Sequence, residues 1–286
     1  MQCSQGNVTM ASQWENFLKN LGNWRGSFAG VNLDGEITTE VPSILTLSLI
    51  DGNRDKVLFT LRRFENGGYD SEPTSNMSQE FTGLGRHTMF FDTGSFSKGS
   101  MCLSSISSFI AEYGFIKGDR RMRMVQMYGD AFTFNKLVFI REFRKGSNAQ
   151  ERPALTVEQL LGTWEAEYHV YTPDLDPPKV HQSRLSLKKE GDYLHQTLEL
   201  EHQTIASKGQ IQGNTIRFTE GSTPRNLVLL PDGASMNVSP QLAQRQAFFV
   251  EAGWLVSDNE RQRIMRNYND RGEWVSSTLI FERRVA

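Results

Sequence analysis

The chain has 286 residues, of which 22% are charged, and a formal net charge of −2. Such a balance gives no basic field to hold nucleic acid or an anionic membrane surface. Two cysteines, Cys3 and Cys102, supply neither a disulfide framework nor a thiolate metal cluster.

In chain order, the first stretch, "MQCSQGNVTMAS", lacks a basic start and an apolar core, so no secretory signal is expected. No apolar run reaches the roughly 18 residues that a membrane helix needs. A cytoplasmic protein of a reducing compartment is the expectation. Ser12 followed by Glu15 has capping-box spacing, and Gly22 stands where a helix stops. Next comes "LGNWRGSFAGV" at Leu21–Val31, where the apolar period changes to two. "EVPSILTLSLI", "KVLFTLRRFE", "RHTMFFD", "SFIAEYGFIKG", "RRMRMVQMY" and "NKLVFIREFR" then alternate or run apolar between turn residues, which predicts strands. "KGSNAQERPAL" is polar with one proline and reads as a linker, centred on residues 147–154.

The second half restarts the pattern. Thr156 and Gln159 repeat the capping spacing, Gly162 repeats the stop, and "LGTWEAEYHVY" opens a further run of strands that ends in "WVSSTLIFERR". Gly22 and Trp24 recur as Gly162 and Trp164, 140 positions on. At the same offset Arg121, Arg123 and Tyr128 become Arg261, Arg263 and Tyr268, and Glu142 and Arg144 become Glu282 and Arg284. A register held this far indicates an internal duplication. The expected domains are 1–146 and 155–286, each a short helix followed by roughly eight to ten strands with no long helix between them, a pattern that closes into barrels.

Gly-x-Trp on the first strand with Arg on the last resembles the lipocalins and the wider calycin superfamily. The whole chain is similar to an uncharacterised two-barrel family of cyanobacteria and plastids. The resemblance implies an all-β fold of two tandem lipocalin-like, up-and-down antiparallel barrels. It implies that Trp24 and Trp164 plug the barrel floors beneath Arg144 (or Arg141) and Arg284 (or Arg283). It also implies apolar cargo.

Motifs for chemistry are sparse. There is no Gly-x-Ser-x-Gly, His-Glu-x-x-His or P-loop, and the glycines of "GNWRGSFAG" interrupt a strand. His169, His181, His195 and His202 read as exposed strand residues, as does His87. No catalytic residue, metal ligand or cofactor is assigned. The Arg-x-Arg pairs place two guanidiniums on one strand face, either outward or toward a ligand acid. Fourteen of the 18 Phe, and six of the ten Met between Met77 and Met127, fall in the first half. An open cavity is therefore expected in residues 1–146, lined by Phe59, Leu61, Met89, Phe91, Met122, Met124 and Tyr128, with Arg121 or Arg123 near its mouth. Its ligand would be a small apolar or amphipathic molecule such as a fatty acid, a carotenoid-like molecule or a tetrapyrrole. The alternatives are a chromophore-handling or lipid-cyclising enzyme using Glu112, Tyr128, Arg121 and Arg123, and a non-catalytic scaffold or assembly factor whose protein partner is unknown.

Overall fold

The computed structural model describes residues 12–65, 68–221 and 223–285. Cys3 and residues 1–11 of the segment read for a secretory signal lie outside them. The first half runs α1 (Gln13–Leu18), β1 (Gly22–Val31), β2 (Ile37–Ile50), β3 (Asn53–Arg63) and β4 (Ser75–Phe81). It continues with β5 (Thr88–Phe90), β6 (Phe96–Gly99), β7 (Phe109–Lys117), β8 (Arg120–Tyr128) and β9 (Phe134–Arg144). The second half runs α2 (Val157–Leu160), β10 (Gly162–Tyr171), β11 (Lys179–Glu190), β12 (Tyr193–Leu200), β13 (Thr204–Gln212) and β14 (Thr215–Phe218). It ends with β15 (Arg225–Leu229), β16 (Ala234–Val238), β17 (Phe248–Ser257), β18 (Glu260–Tyr268) and β19 (Trp274–Val285).

Both halves are antiparallel, all-β and wound up and down, but they close differently. The second is a closed barrel of ten strands, β10 to β19 in sequence order, with β19 returning to β10. The first is a nine-stranded curled sheet in the order β4-β3-β2-β1-β9-β8-β7-β6-β5, so β4 and β5 are free edges facing one another across a seam. Register shows why. Phe81 in β4 occupies the position of Gly209 in β13, and Thr88 in β5 that of Leu227 in β15. Six residues, 82–87, connect the first pair, whereas 17, 210–226, connect the second and include β14. The shorter connection has no room for the closing strand.

The helices pack at the floors. Ser12 accepts from the Glu15 amide at 3.1 Å, but the Glu15 carboxylate turns away to Arg54, so only half of a capping box forms. Thr156 and Gln159 complete both halves, at 3.3 and 2.9 Å. In α1 the Gln13 side chain donates to the Phe90 carbonyl at 2.8 Å and accepts from its amide at 2.6 Å. Those are the two bonds that a neighbouring strand would have made to the β5 edge.

The largest apolar core lies between the barrels. Outward faces of β7 and β8 (Tyr113, Phe115, Met122, Met124) meet outward faces of the second barrel (Met236, Trp254, Ile264) in one buried cluster. Phe109 crosses to Tyr268 at 5.1 Å between ring centroids, and Phe115 to Trp254 at 6.3 Å. Burying each such side chain contributes about 1.5–3 kcal/mol, so the barrels are held face to face rather than tethered by a linker. A buried ion pair adds direction, because fully buried Asp232 accepts from Arg120 and from the Arg152 amide at 2.8 Å.

Candidate functional site

Each barrel interior starts from its floor. Trp24 and Trp164 are fully buried. Their indole nitrogens donate to the Asn20 carbonyl at 3.0 Å and the Leu160 carbonyl at 2.9 Å, in the segment that precedes each first strand. Arg144 is the cross-strand neighbour of Trp24, and its guanidinium carbon lies 4.4 Å from the ring centroid. Arg284 stands over Trp164 at 4.3 Å. Arg141 and Arg283 take no part in this stack. The glycine of Gly-x-Trp has a steric reason: Gly22 has φ +146°, and a Cβ there would meet Arg144 Nη1 at 2.4 Å.

Above each floor lies a buried cluster of two arginines and two glutamates. In the first barrel Glu142 accepts from Arg121 Nη1 at 2.8 Å, from Arg123 Nη2 at 2.9 Å and from Arg123 Nε at 3.2 Å. Arg123 also donates to Glu112 at 3.2 Å, and Arg121 to Asn20 Oδ1 at 3.0 Å. In the second barrel Arg263 pairs with Glu282 at 2.8 Å and Glu251 at 3.0 Å, and Arg261 lies 3.6 Å from Glu282. Burial raises the Glu142 carboxyl, but the charges and hydrogen bonds of Arg123 and Arg121 outweigh it and hold the group below its ordinary value. Burial, with Arg123 alongside, lowers Arg121 to about 10, still charged at neutral pH. Arg123 loses charge stability to burial and more than regains it from Glu142 and Glu112, so it is raised. These ions are already matched. They brace the barrel.

The space above the clusters differs between the halves. The first barrel encloses about 930 Å³, with apolar walls that include Leu47, Phe59, Leu61, Phe81, Phe90 and Ile140. The seam residues Thr82–Gly85 form part of its boundary. The second barrel's cavity is about 380 Å³, because Leu185, Leu187, Leu194 and Phe218 fill the lower part.

Of the residues expected to line the first cavity, Phe59, Leu61, Arg121 and Arg123 do so, with Arg121 beside Asn20 at the floor rather than near the mouth. Met89, Phe91, Met122, Met124 and Tyr128 do not, and that expectation is corrected: all five lie in the core between the barrels. Adjacent strand residues face opposite ways, so Arg121 and Arg123 inward put Met122 and Met124 outward. The richness in Phe and Met that suggested a cavity marks a sheet buried on both faces. For the same reason Tyr128 lies in that core, away from the cavity that Glu112, Arg121 and Arg123 line, so the four groups of the catalytic scheme do not share one pocket.

The sequence reading missed Glu142, whose recurrence at the common offset was its signal. It also missed Phe28, Arg63, Lys98 and Lys136, which line the first cavity. Arg63 lies 4.4 Å from the Phe28 ring centroid, and Arg123 lies 5.3 Å from the same ring. His169 pairs with Glu167 at 2.6 Å and His181 stacks on Tyr168, both by the second barrel's mouth. Among the described residues no group of three or more His, Cys, Asp or Glu is placed to hold a metal ion, and no helix is long and apolar enough to cross a membrane.

Residues 10–147 match the N-terminal domain of unknown function DUF3598, and residues 151–285 match a family described as "Biogenesis factor required for ATP synthase 1, C-terminal domain". A crystal structure of a DUF3598 protein of unknown function from Nostoc punctiforme PCC 73102 is 36% identical, with a TM-score of 0.89 over 96% of this chain and 100% of that one. The S-type phycobiliprotein lyase of Guillardia theta aligns over 46% of this chain and 90% of its own at 12% identity, with a TM-score of 0.36, which carries no functional argument. No curated protein matches the chain.

Proposed function

The chain belongs to the DUF3598 family, and we propose that it acts as a binding protein which holds a small amphipathic molecule in the first barrel. The observation that carries this reading is the cavity of about 930 Å³, whose walls combine Leu47, Phe59, Leu61, Phe81 and Ile140 with a few charged and polar groups. Ligand cavities of roughly 300–1,000 Å³ with apolar walls and a few convergent polar groups are the usual form of small-molecule sites. A fatty acid, a carotenoid-like molecule and a tetrapyrrole are the candidate cargoes, and the cytoplasm is the proposed location. Matched ion pairs in both interiors favour binding over catalysis. Native mass spectrometry of protein purified from its own host tests the reading. One bound small molecule, released on denaturation, is the expected result. Bare protein that also takes up none of the three candidate classes would overturn it.

A second reading rests on a separate observation, the match of residues 151–285 to a domain described as part of a biogenesis factor for ATP synthase. On this reading the outer faces serve assembly of that enzyme. Co-purification of ATP synthase subunits with the tagged chain supports it. Unchanged ATP synthase levels in cells lacking the protein would count against it.

A further inference from the structure

We propose that the first barrel recognises an anionic head group at its mouth through Arg63, Lys98 and Lys136, so that an amphiphile binds acid-end up with its apolar body toward the Trp24 floor. This rests on the ligand-binding reading and adds the chemistry and orientation of the ligand.

The argument begins with charge matching. Arg121 and Arg123 line the cavity but are neutralised by Glu142 and Glu112. A ligand acid gripped by the Arg121/Arg123 pair would therefore find no free cation there. Three further cations line the same space: Arg63, Lys98 and Lys136. Among the described residues none of them has a carboxylate within ion-pair distance. Of the other lining carboxylates, Glu80 faces Lys56 at 3.8 Å, which leaves Glu65 alone against three cations. Arg63 is the most constrained of the three. Its guanidinium packs on the Phe28 ring, and its Nε is buried with no hydrogen-bond partner. A buried donor without a partner costs free energy that an anionic ligand oxygen would recover.

The second barrel serves as an internal control. Register alignment through the two tryptophans places Leu200 where the first barrel has Arg63. Asn237 stands in place of Lys98, each opposite its barrel's glutamate, Glu251 or Glu112. Ser276 stands in place of Lys136. The floor stack and the ion cluster are kept in both barrels, whereas these three positions are cationic in the first barrel alone; the second cavity has a different lining cation, Arg225, packed on Phe249. Barrel stability alone does not require them, since the closed barrel does without. Their position also sets direction: Lys136 lies eight residues before Arg144 on β9, at the far end from Trp24, while Phe59, Phe90 and Phe96 wall the lower chamber.

The test uses the full chain and a dansyl-labelled undecanoic acid, with its methyl ester as the neutral control. The acid is expected to bind at least about tenfold more tightly than the ester, with the difference shrinking as salt is added. In the variant carrying R63L, K98N and K136S, the residues of the second barrel, the ratio is expected to fall to about one. A thermal melt checks its fold, and R63L alone serves if the triple variant does not fold. Competition identifies the head: displacement by lauric acid or by dodecyl phosphate, and not by dodecanol, supports the anion site and says which acid it prefers. Equal binding of acid and ester in the parent chain, or displacement by dodecanol as strong as by either acid, overturns the proposal while leaving ligand binding intact. Binding of neither probe overturns the proposal, and the ligand-binding reading falls with it only if carotenoid-like and tetrapyrrole probes are refused as well.

Discussion

Arg123 grips Glu142 with two parallel hydrogen bonds, Nη2 to Oε1 at 2.9 Å and Nε to Oε2 at 3.2 Å, inside a barrel wall where Glu142 is fully buried. Such a fork geometry is strong only while both partners are present. Glu142→Ala leaves Arg121 and Arg123 buried beside a lost carboxylate and is expected to destabilise the chain by about 3–5 kcal/mol. Replacing Arg121, Arg123 and Glu142 together by apolar residues is expected to cost less than that single change. Urea unfolding of the two variants side by side checks the order; a mild single variant would show that the cluster is not a brace.

The same group sets an acid limit. Because the folded-state pKa of Glu142 lies below its ordinary carboxylate value, its contribution is present above that value and is lost as pH falls through the lower, folded value. Thermal melts from neutral pH down through the carboxylate range should show a falling melting temperature in the parent chain. In Glu142→Gln, already destabilised, the acid limb should be shallower. Identical slopes would remove Glu142 from the account.

Neighbouring residues on β8 offer a facing test. Met124 is fully buried in the core between barrels, whereas Val125 lines the first cavity. Met124→Trp is expected to overpack the core, costing about 1–3 kcal/mol, and to leave ligand uptake unchanged. Val125→Trp should weaken uptake of the dansyl probe and move the melting temperature little. The reverse pattern in melts and titrations would place the cavity on the other face.

At the floor, Gly22→Ala places a Cβ 2.4 Å from Arg144 Nη1 at φ +146°. The backbone strain alone is about 1–3 kcal/mol, and the clash pushes the guanidinium off the Trp24 ring. Gly162→Ala meets Arg284 Nη1 only at 3.1 Å, so the first substitution is expected to be the more damaging in denaturant titrations. Equal losses would mean that φ, not the arginine, dictates the glycine.

Much of the fold was legible in the residues themselves. Repetition at one offset marked the duplication, since both copies must satisfy the same floor: a glycine to let the guanidinium in, a tryptophan to fill the end, an arginine to cover it. Period-two alternation in "EVPSILTLSLI" and "HQSRLSLKKE" marked strands with one apolar face. Capping pairs at Ser12 and Thr156 marked where each half begins. These are local requirements, met by residues close in sequence or held at a fixed register.

What tertiary structure alone decided was the direction each face points. "RRMRMVQMY" carries arginines on one face and methionines on the other, and alternation is silent on which of them turns inward. The arginines go in because Glu142 and Glu112 meet them there, while the methionines go out because the second barrel covers them. Closure was equally hidden, because it depends on 11 residues more or fewer between two strands that never touch in the first half. The open seam, the larger cavity and the three unmatched cations follow from pairing between distant segments, which one-dimensional periodicity does not encode.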